Sequence, residues 1–355
     1  MMSGFRMKQN MRLATAGLTI CAIVSLTPGC QRQKPAAAKS DTLVLGAYTV
    51  PKEAYQKEII PAFQKYWKDK TGRDVKFEES YVGSGAQARA IVSGFEADVA
   101  ALSLEGDIDK IVEADLITNL WKDRPWHGFI THSLAVIGVR PGNPKNIHDW
   151  EDLTSPDVEV IYPNPKTSGG AQWVVNAIYG AGLKMSEERG GVEDPDFARD
   201  LLKKVQARVK VMDKSARESV TTFERGIGDA IVTYENEALL RRMQGKDFEF
   251  VMPRATILIE NPIAVVDKYA KKHGAMEIAE EFVQFVHTDF AQRAFARYGF
   301  RPANPDIAKE LSEDYPVPPL LFDIDYLGGW TEVEGSIYGE EGIWTMITKE
   351  LAEEK

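Results

Sequence analysis

The chain has 355 residues, 44% of them hydrophobic, enough for a sizeable core and too many for a disordered polymer. Formal net charge at pH 7 is −10, and the first forty residues hold six Lys or Arg and no acid, so the remainder carries 37 bases against 53 acids, a formal −16. That balance excludes nucleic acid as a partner. A small anion stays possible, because a buried site answers to the dipoles aimed into it rather than to net charge.

The first forty residues read as a leader. Arg6, Lys8 and Arg12 precede the apolar run LATAGLTICAIVSL (13–26), and Pro28, Gly29 and Cys30 follow. Basic, apolar and small-residue segments in that order form a secretory signal, and the run is short for a membrane span. LTPGC (26–30) is similar to a lipoprotein signal, with Cys30 as the lipidated residue, although Thr27 stands where such signals carry leucine. Cleavage after Ala36-Ala37-Ala38 is the alternative and would release a free protein. Both cysteines, Cys21 and Cys30, lie in this leader, so the remainder has no disulfide and no cysteine metal site.

From residue 42 short β-rich runs alternate with helical patterns. TLVLGAY (42–48) predicts a strand, and 52–70 a helix that Pro61 should kink. DVKFEESY (74–81) and ADVAALSL (97–104) predict strands on either side of a helix over 86–95. HSLAVIGV (132–139) reads as a segment crossing to a second series: strands over 158–163, 209–212, 229–235 and 248–253, with helices over 171–182 and 218–226. ILIENPIAVVD (257–267) reads as the return crossing. Helices over 276–288, 290–299 and 342–355 follow. Alternation of this kind indicates α/β architecture with mostly parallel sheets, here in two lobes. The expected boundaries are a leader over 1–40, one lobe from 41–137 plus 259–355, and a second lobe over 138–258.

Ligands of open α/β sheets bind where strands end and helices begin. Four such junctions stand out: GAYTVPKEAY (46–55), YVGSGAQAR (81–89), PNPKTSGGAQW (163–173) and MDKSARESV (212–220). A helix start leaves about four backbone N–H groups without intrahelical partners and roughly half a positive charge, so an anion fits there without Lys or Arg. Glycine allows close approach to the amide, and Ser or Thr adds a hydroxyl donor. A serine at one helix start is ordinarily just a cap; several in both halves of one chain suggest a pocket of neutral donors. The third junction lacks a full Walker pattern, which argues against ATP. No G-x-S-x-G occurs, no histidine is spaced for a triad with Ser168 or Ser84, and no H-x-x-x-H motif is present, which leaves a secreted hydrolase using Ser168 as the rival reading and no metal or cofactor expected.

At PNPKTSGGAQW the sequence resembles the sulfate/thiosulfate-binding proteins of bacterial ABC importers. Further matching stretches are GSGAQARAIVSGFEADVAALSL (83–104), VRPGNPKNIHDWEDL (139–153), FERGIGDAIVTYENEALL (223–240) and DYLGGWTEVEGSIYGEEGIWTMI (325–347). The resemblance implies a type II periplasmic-binding-protein fold, with two mixed sheets and flanking helices joined by two crossing strands. It implies a monomer outside the cytoplasm that closes over a tetrahedral dianion and passes it to a permease and its ATPase; a sensor role would use the same pocket. Carried over, Ser84 donates from its helix start, Ser168 gives its hydroxyl, Gly169 and Gly170 their amides, and Ala216 its amide. Tyr234 stands where the family carries tryptophan. A phenol can accept as well as donate, which weakens strict selection for sulfate and raises phosphate, molybdate or another oxyanion as the ligand. Thr49 lies near the family's aspartate, whose backbone amide faces the anion, and KSARES departs from the family's usual run around Ala216.

Overall fold

The computed structural model describes residues 41–354; the leader, its cleavage site and the expected lipid on Cys30 lie outside the described residues. Among the described residues no helix is long and apolar enough to cross a membrane.

The strands are β1 (Asp41–Tyr48), β2 (Val75–Val82), β3 (Val99–Ala101), β4 (Phe129–Val139), β5 (Val160–Ile161), β6 (Val209–Val211), β7 (Ala230–Tyr234), β8 (Glu249–Val251), β9 (Ala255–Val265), β10 (Arg301–Pro302) and β11 (Leu320–Phe322). Eight of them hydrogen-bond in the order β2-β1-β3-β9-β4-β7-β5-β6, while β8 and β10 pair with β4 and β11 with β9. Each half of that ladder follows one plan. β2, β1 and β3 are parallel and β9 closes them antiparallel; β6, β5 and β7 are parallel and β4 closes them antiparallel. Residue chemistry matches position. β1 lies between two neighbours and buries Leu43, Leu45, Ala47 and Tyr48, whereas β2, at the end of the path, carries Lys76, Glu78 and Glu79, charges that discourage edge pairing.

β4 and β9 are the crossing strands, each 11 residues long, roughly 35 Å of extended chain. β4 gives Phe129–Leu134 to β9 and Ala135–Val139 to β7. β9 gives Leu258–Pro262 to β4 and Ile263–Val265 to β3. The switch in β9 falls at Pro262. Proline has no N–H to donate, and opposite it the register of β4 slips between Phe129 and Thr131. The skipped Ile130 carbonyl accepts instead from the Gln292 amide at 2.9 Å, and the Pro262 carbonyl accepts from the Leu102 amide at 3.0 Å.

The helices are α1 (Lys52–Ala54), α2 (Ile60–Thr71), α3 (Ser84–Val92), α4 (Glu105–Glu113), α5 (Gly169–Gly190), α6 (Pro195–Ala207), α7 (Ala216–Glu224), α8 (Glu235–Met243), α9 (Asp267–His273), α10 (Met276–Val286), α11 (Asp289–Ala296), α12 (Pro305–Glu310), α13 (Gly329–Ser336) and α14 (Ile343–Glu353). The irregularity expected at Pro61 is a π-helical turn, Tyr55–Ile59, in which the Ile60 amide reaches back to the Tyr55 carbonyl. The wide turn takes up the missing Pro61 donor without breaking the rod. Beyond it, Phe63 meets Phe282 of α10 at 5.0 Å between ring centres, and Phe77 of β2 meets the same ring at 5.1 Å. This aromatic cluster holds α2 and α10 against the first half of the ladder.

Two sequence expectations need correction. The runs 97–104, 158–163 and 229–235 form strands of only three, two and five residues, because their C-terminal residues leave the ladder to make the loops of the site. The helix over 171–182 extends from Gly169 to Gly190 and ends on Gly191 in the left-handed conformation (φ 76°).

Candidate functional site

Three helices begin at one place. The Ala86 amide of α3 donates to the Thr167 carbonyl at 3.2 Å, and the Asn164 amide before α5 donates to the Asp213 carbonyl at 2.8 Å. The Thr167 hydroxyl donates to the Lys214 carbonyl, just before α7, at 2.9 Å. The starts of α3, α5 and α7 are therefore joined by hydrogen bonds, although about 130 residues separate the first from the last. Gly83 permits the approach: a methyl group there would fall 2.4 Å from the Thr167 carbonyl oxygen and 2.8 Å from that of Lys214.

β7 brings a fourth element. Tyr234, its last residue, is buried, and a methyl group on Gly170 would meet its ring at 2.8 Å, its hydroxyl at 3.1 Å and the Ala216 side chain at 3.2 Å. Gly170, Ala216 and Tyr234 thus share one spot. Gly169 lies against Ser103, where a methyl group would stand 2.8 Å from the serine oxygen. Thr49 enters through its neighbours: the Tyr48 ring is 6.4 Å from that of Tyr234, and the Val50 carbonyl accepts from Arg217 at 2.9 Å.

The serines at these starts differ. Ser215 is an ordinary cap, accepting from the Glu218 amide at 3.3 Å. Ser168 occupies the same position before α5, in extended conformation, and its side chain makes no capping bond. The first amide of α5 to turn back into the helix is that of Ala171, to the Ser168 carbonyl at 3.1 Å. Helix geometry leaves the Gly169 and Gly170 amides directed out of the helix end. At Ser84 the hydroxyl donates to the buried Asp107 carboxylate at 2.6 Å and accepts from the Ser103 amide at 2.9 Å. Its amide, not its hydroxyl, remains for a ligand.

Two cations nearby are paired with acids. Lys110 is 3.4 Å from Asp107 and 3.6 Å from Glu334. Arg217, beside Ala216, bonds to Glu53 and, at 2.8 Å, to the fully buried Glu237. Burial pushes the Asp107 carboxyl above its usual range, opposed by Lys110 and the Ser84 hydroxyl. Burial also raises the Tyr234 phenol above its ordinary value, so it keeps its proton at any working pH. What faces the junction is a set of neutral N–H and O–H donors at the positive ends of three helices, an arrangement suited to an anion rather than to a cation or a nucleophilic reaction.

Ser103 was not singled out by sequence. It follows β3 and precedes α4, a fifth strand-to-helix junction, but Leu102 and Leu104 on either side continue the apolar pattern of VAAL (99–102) and hide both the end of the strand and the start of the helix. Trp126 tilts against His287 at 5.5 Å. Trp330 packs edge-on to Trp173 at 4.7 Å, as a core residue.

Two α/β halves joined by two long antiparallel strands, with helix starts meeting at the join, define a type II periplasmic-binding-protein fold. The profile of the family described as bacterial extracellular solute-binding protein matches residues 43–301, and the chain belongs to that family. It is 39% identical to a sulfate-binding protein of Synechococcus elongatus, over 97% of this chain and 96% of that protein. It is 35% identical to a thiosulfate-binding protein of Pseudomonas aeruginosa, over 88% of this chain and 93% of that one. Among solved structures it is similar to the sulfate-binding protein SubI from Mycobacterium tuberculosis, with a TM-score of 0.74 and 36% identity over 83% of this chain and 98% of that one.

Proposed function

We propose that this protein captures sulfate or thiosulfate outside the cytoplasm, closes its two lobes over the anion and delivers it to the permease and ATPase of an ABC importer. The lobes are residues 41–137 with 259–355, and 138–258. In this reading the amides of Ser84, Gly169, Gly170 and Ala216 and the hydroxyls of Ser168 and Tyr234 surround the anion, with the Thr49 backbone at its edge. A leader over 1–40 directs export, and Cys30 carries a lipid that tethers the protein to the membrane.

The observation that carries the reading is the meeting of three helix starts around a serine that caps nothing. Transferring a dianion from water without partners costs tens of kcal/mol, and hydrogen bonds to charged groups return roughly 1.5–3 kcal/mol each, so only a convergence of several donors suffices. The similarity to sulfate- and thiosulfate-binding relatives over nearly the whole chain supports the choice of anion. A hydrolase reading using Ser168 has less support: among the described residues the histidine side chains hydrogen-bond to Asn146, Asp98, Glu96 and the Val283 carbonyl, none of them to Ser168.

The test is calorimetric titration of protein freed of ligand by partial unfolding, with sulfate, thiosulfate, phosphate and molybdate in parallel. One-to-one binding of sulfate or thiosulfate well ahead of the other two is expected. Binding of none of the four would overturn the reading.

A further inference from the structure

The hydroxyls of Ser103 and Tyr234 lie 2.6 Å apart and form one hydrogen bond in which either could be the donor. With the lobes placed as they are here, each group is held by its surroundings. Ser103 is fully buried. Its carbonyl accepts from the Trp173 indole and the Asn261 amide, each at 2.8 Å, and its own amide donates to Ser84. Tyr234 is 2% exposed and wedged against Gly170. Two hydroxyls that share one hydrogen bond retain one proton between them for anything else.

We propose that Ser103 is a specificity-determining residue: it donates to the Tyr234 oxygen, fills the phenol's acceptor position and turns the phenol's own proton toward the start of α5. This rests on the oxyanion-binding function proposed above. The phenol is the stronger acid of the two, so the chain from serine to phenol to anion places the better donor on the anion, and each bond polarises the next. A phenol alone can accept a proton from its ligand; a phenol whose oxygen is occupied acts as a donor only. The cleft then favours a fully deprotonated tetrahedral dianion over one that carries a proton and needs an acceptor. Ser103 thereby restores the selectivity that tyrosine at position 234 would otherwise relax.

The test compares sulfate with inorganic phosphate, by calorimetry at neutral pH, in the wild-type protein and in Ser103→Ala, Ser103→Thr and Tyr234→Phe. Wild type is expected to prefer sulfate. Ser103→Ala should lower the sulfate-to-phosphate affinity ratio by about tenfold, as the freed phenol oxygen begins to accept the phosphate proton. Ser103→Thr keeps the hydroxyl and should keep the ratio. Tyr234→Phe removes donor and acceptor together and should lose sulfate affinity. An unchanged ratio in Ser103→Ala overturns the inference; should that variant not fold, an unchanged ratio in Ser103→Cys, whose thiol is a much weaker donor, does so. A wild-type protein that binds sulfate without preferring it to phosphate also overturns it and leaves the proposed function standing. Failure of wild type to bind any oxyanion removes both.

Discussion

Ser168 and Ser215 hold the same position before two helices, yet only Ser215 closes onto its own helix. The difference decides how each responds to removal of its hydroxyl. Ser215→Ala deletes a cap, a stability effect of about 1 kcal/mol. Ser168→Ala deletes no internal bond; it should leave the melting temperature near that of wild type and weaken oxyanion binding by about 1–3 kcal/mol, the cost of a charged group left one donor short. Melting and calorimetry on the same preparation check both halves. Unchanged affinity would remove Ser168 from the site.

At the scale of elements, the crossing strands carry a titratable pair. His132 of β4 and Glu260 of β9 are register partners, with their polar atoms 3.8 Å apart. Burial, then the nearby Asp323, Asp325 and Glu105, pushes the Glu260 carboxyl up to about 7. Burial and the nearby Arg301 push His132 down to about 4. A carboxyl whose folded pKa is raised binds protons more tightly in the folded state. Its contribution is fully present below the unfolded value of 4.5 and is lost as pH rises through about 7. Glu260→Gln removes that loss. Denaturant unfolding should therefore find the variant similar to wild type at pH 4.5 and more stable at pH 8, by on the order of 3 kcal/mol. Equal stability of the two at pH 8 would show that Glu260 is solvated more fully than its burial implies. His132 has the opposite sign, gaining stability between pH 4 and 6.5, and is unchanged in the comparison.

In the whole molecule, the two halves are tied by the strands and by side chains that reach across the site. Arg217, on α7, donates to the Val50 carbonyl at 2.9 Å and bonds to Glu53 of α1 on the far side, while holding Glu237 of α8 on its own. Arg217→Ala cuts the tie and leaves the fully buried Glu237 with Arg241 alone, at 3.2 Å. Folding stability should drop by about 1–3 kcal/mol. Small-angle scattering during a sulfate titration should show compaction to the wild-type dimensions, but only at about tenfold higher sulfate, because less of the closing free energy is supplied by the protein itself. Compaction at the wild-type sulfate concentration would show that the arginine has no part in closure.

The sequence by itself determined the class of fold, through alternating β and helical patterns, and the kind of site, through small polar residues at strand-to-helix junctions. These are local properties: a helix start lacks hydrogen-bond partners wherever it occurs, and PNPKTSGGAQW shows its bare backbone without reference to anything else. Local pattern also located both crossing strands to within three residues of their starts. It overestimated the strands that feed the site, because β propensity continues past the point where the chain leaves the ladder. It missed Ser103, set between Leu102 and Leu104, and it did not foresee that Asp107 takes the Ser84 hydroxyl. What the Ser84 hydroxyl bonds to, and what pairs with the Tyr234 hydroxyl, only the tertiary structure decided. Those outcomes depend on residues 23 and 131 positions away in sequence, brought within hydrogen-bonding distance by the folding of both halves around the crossing strands.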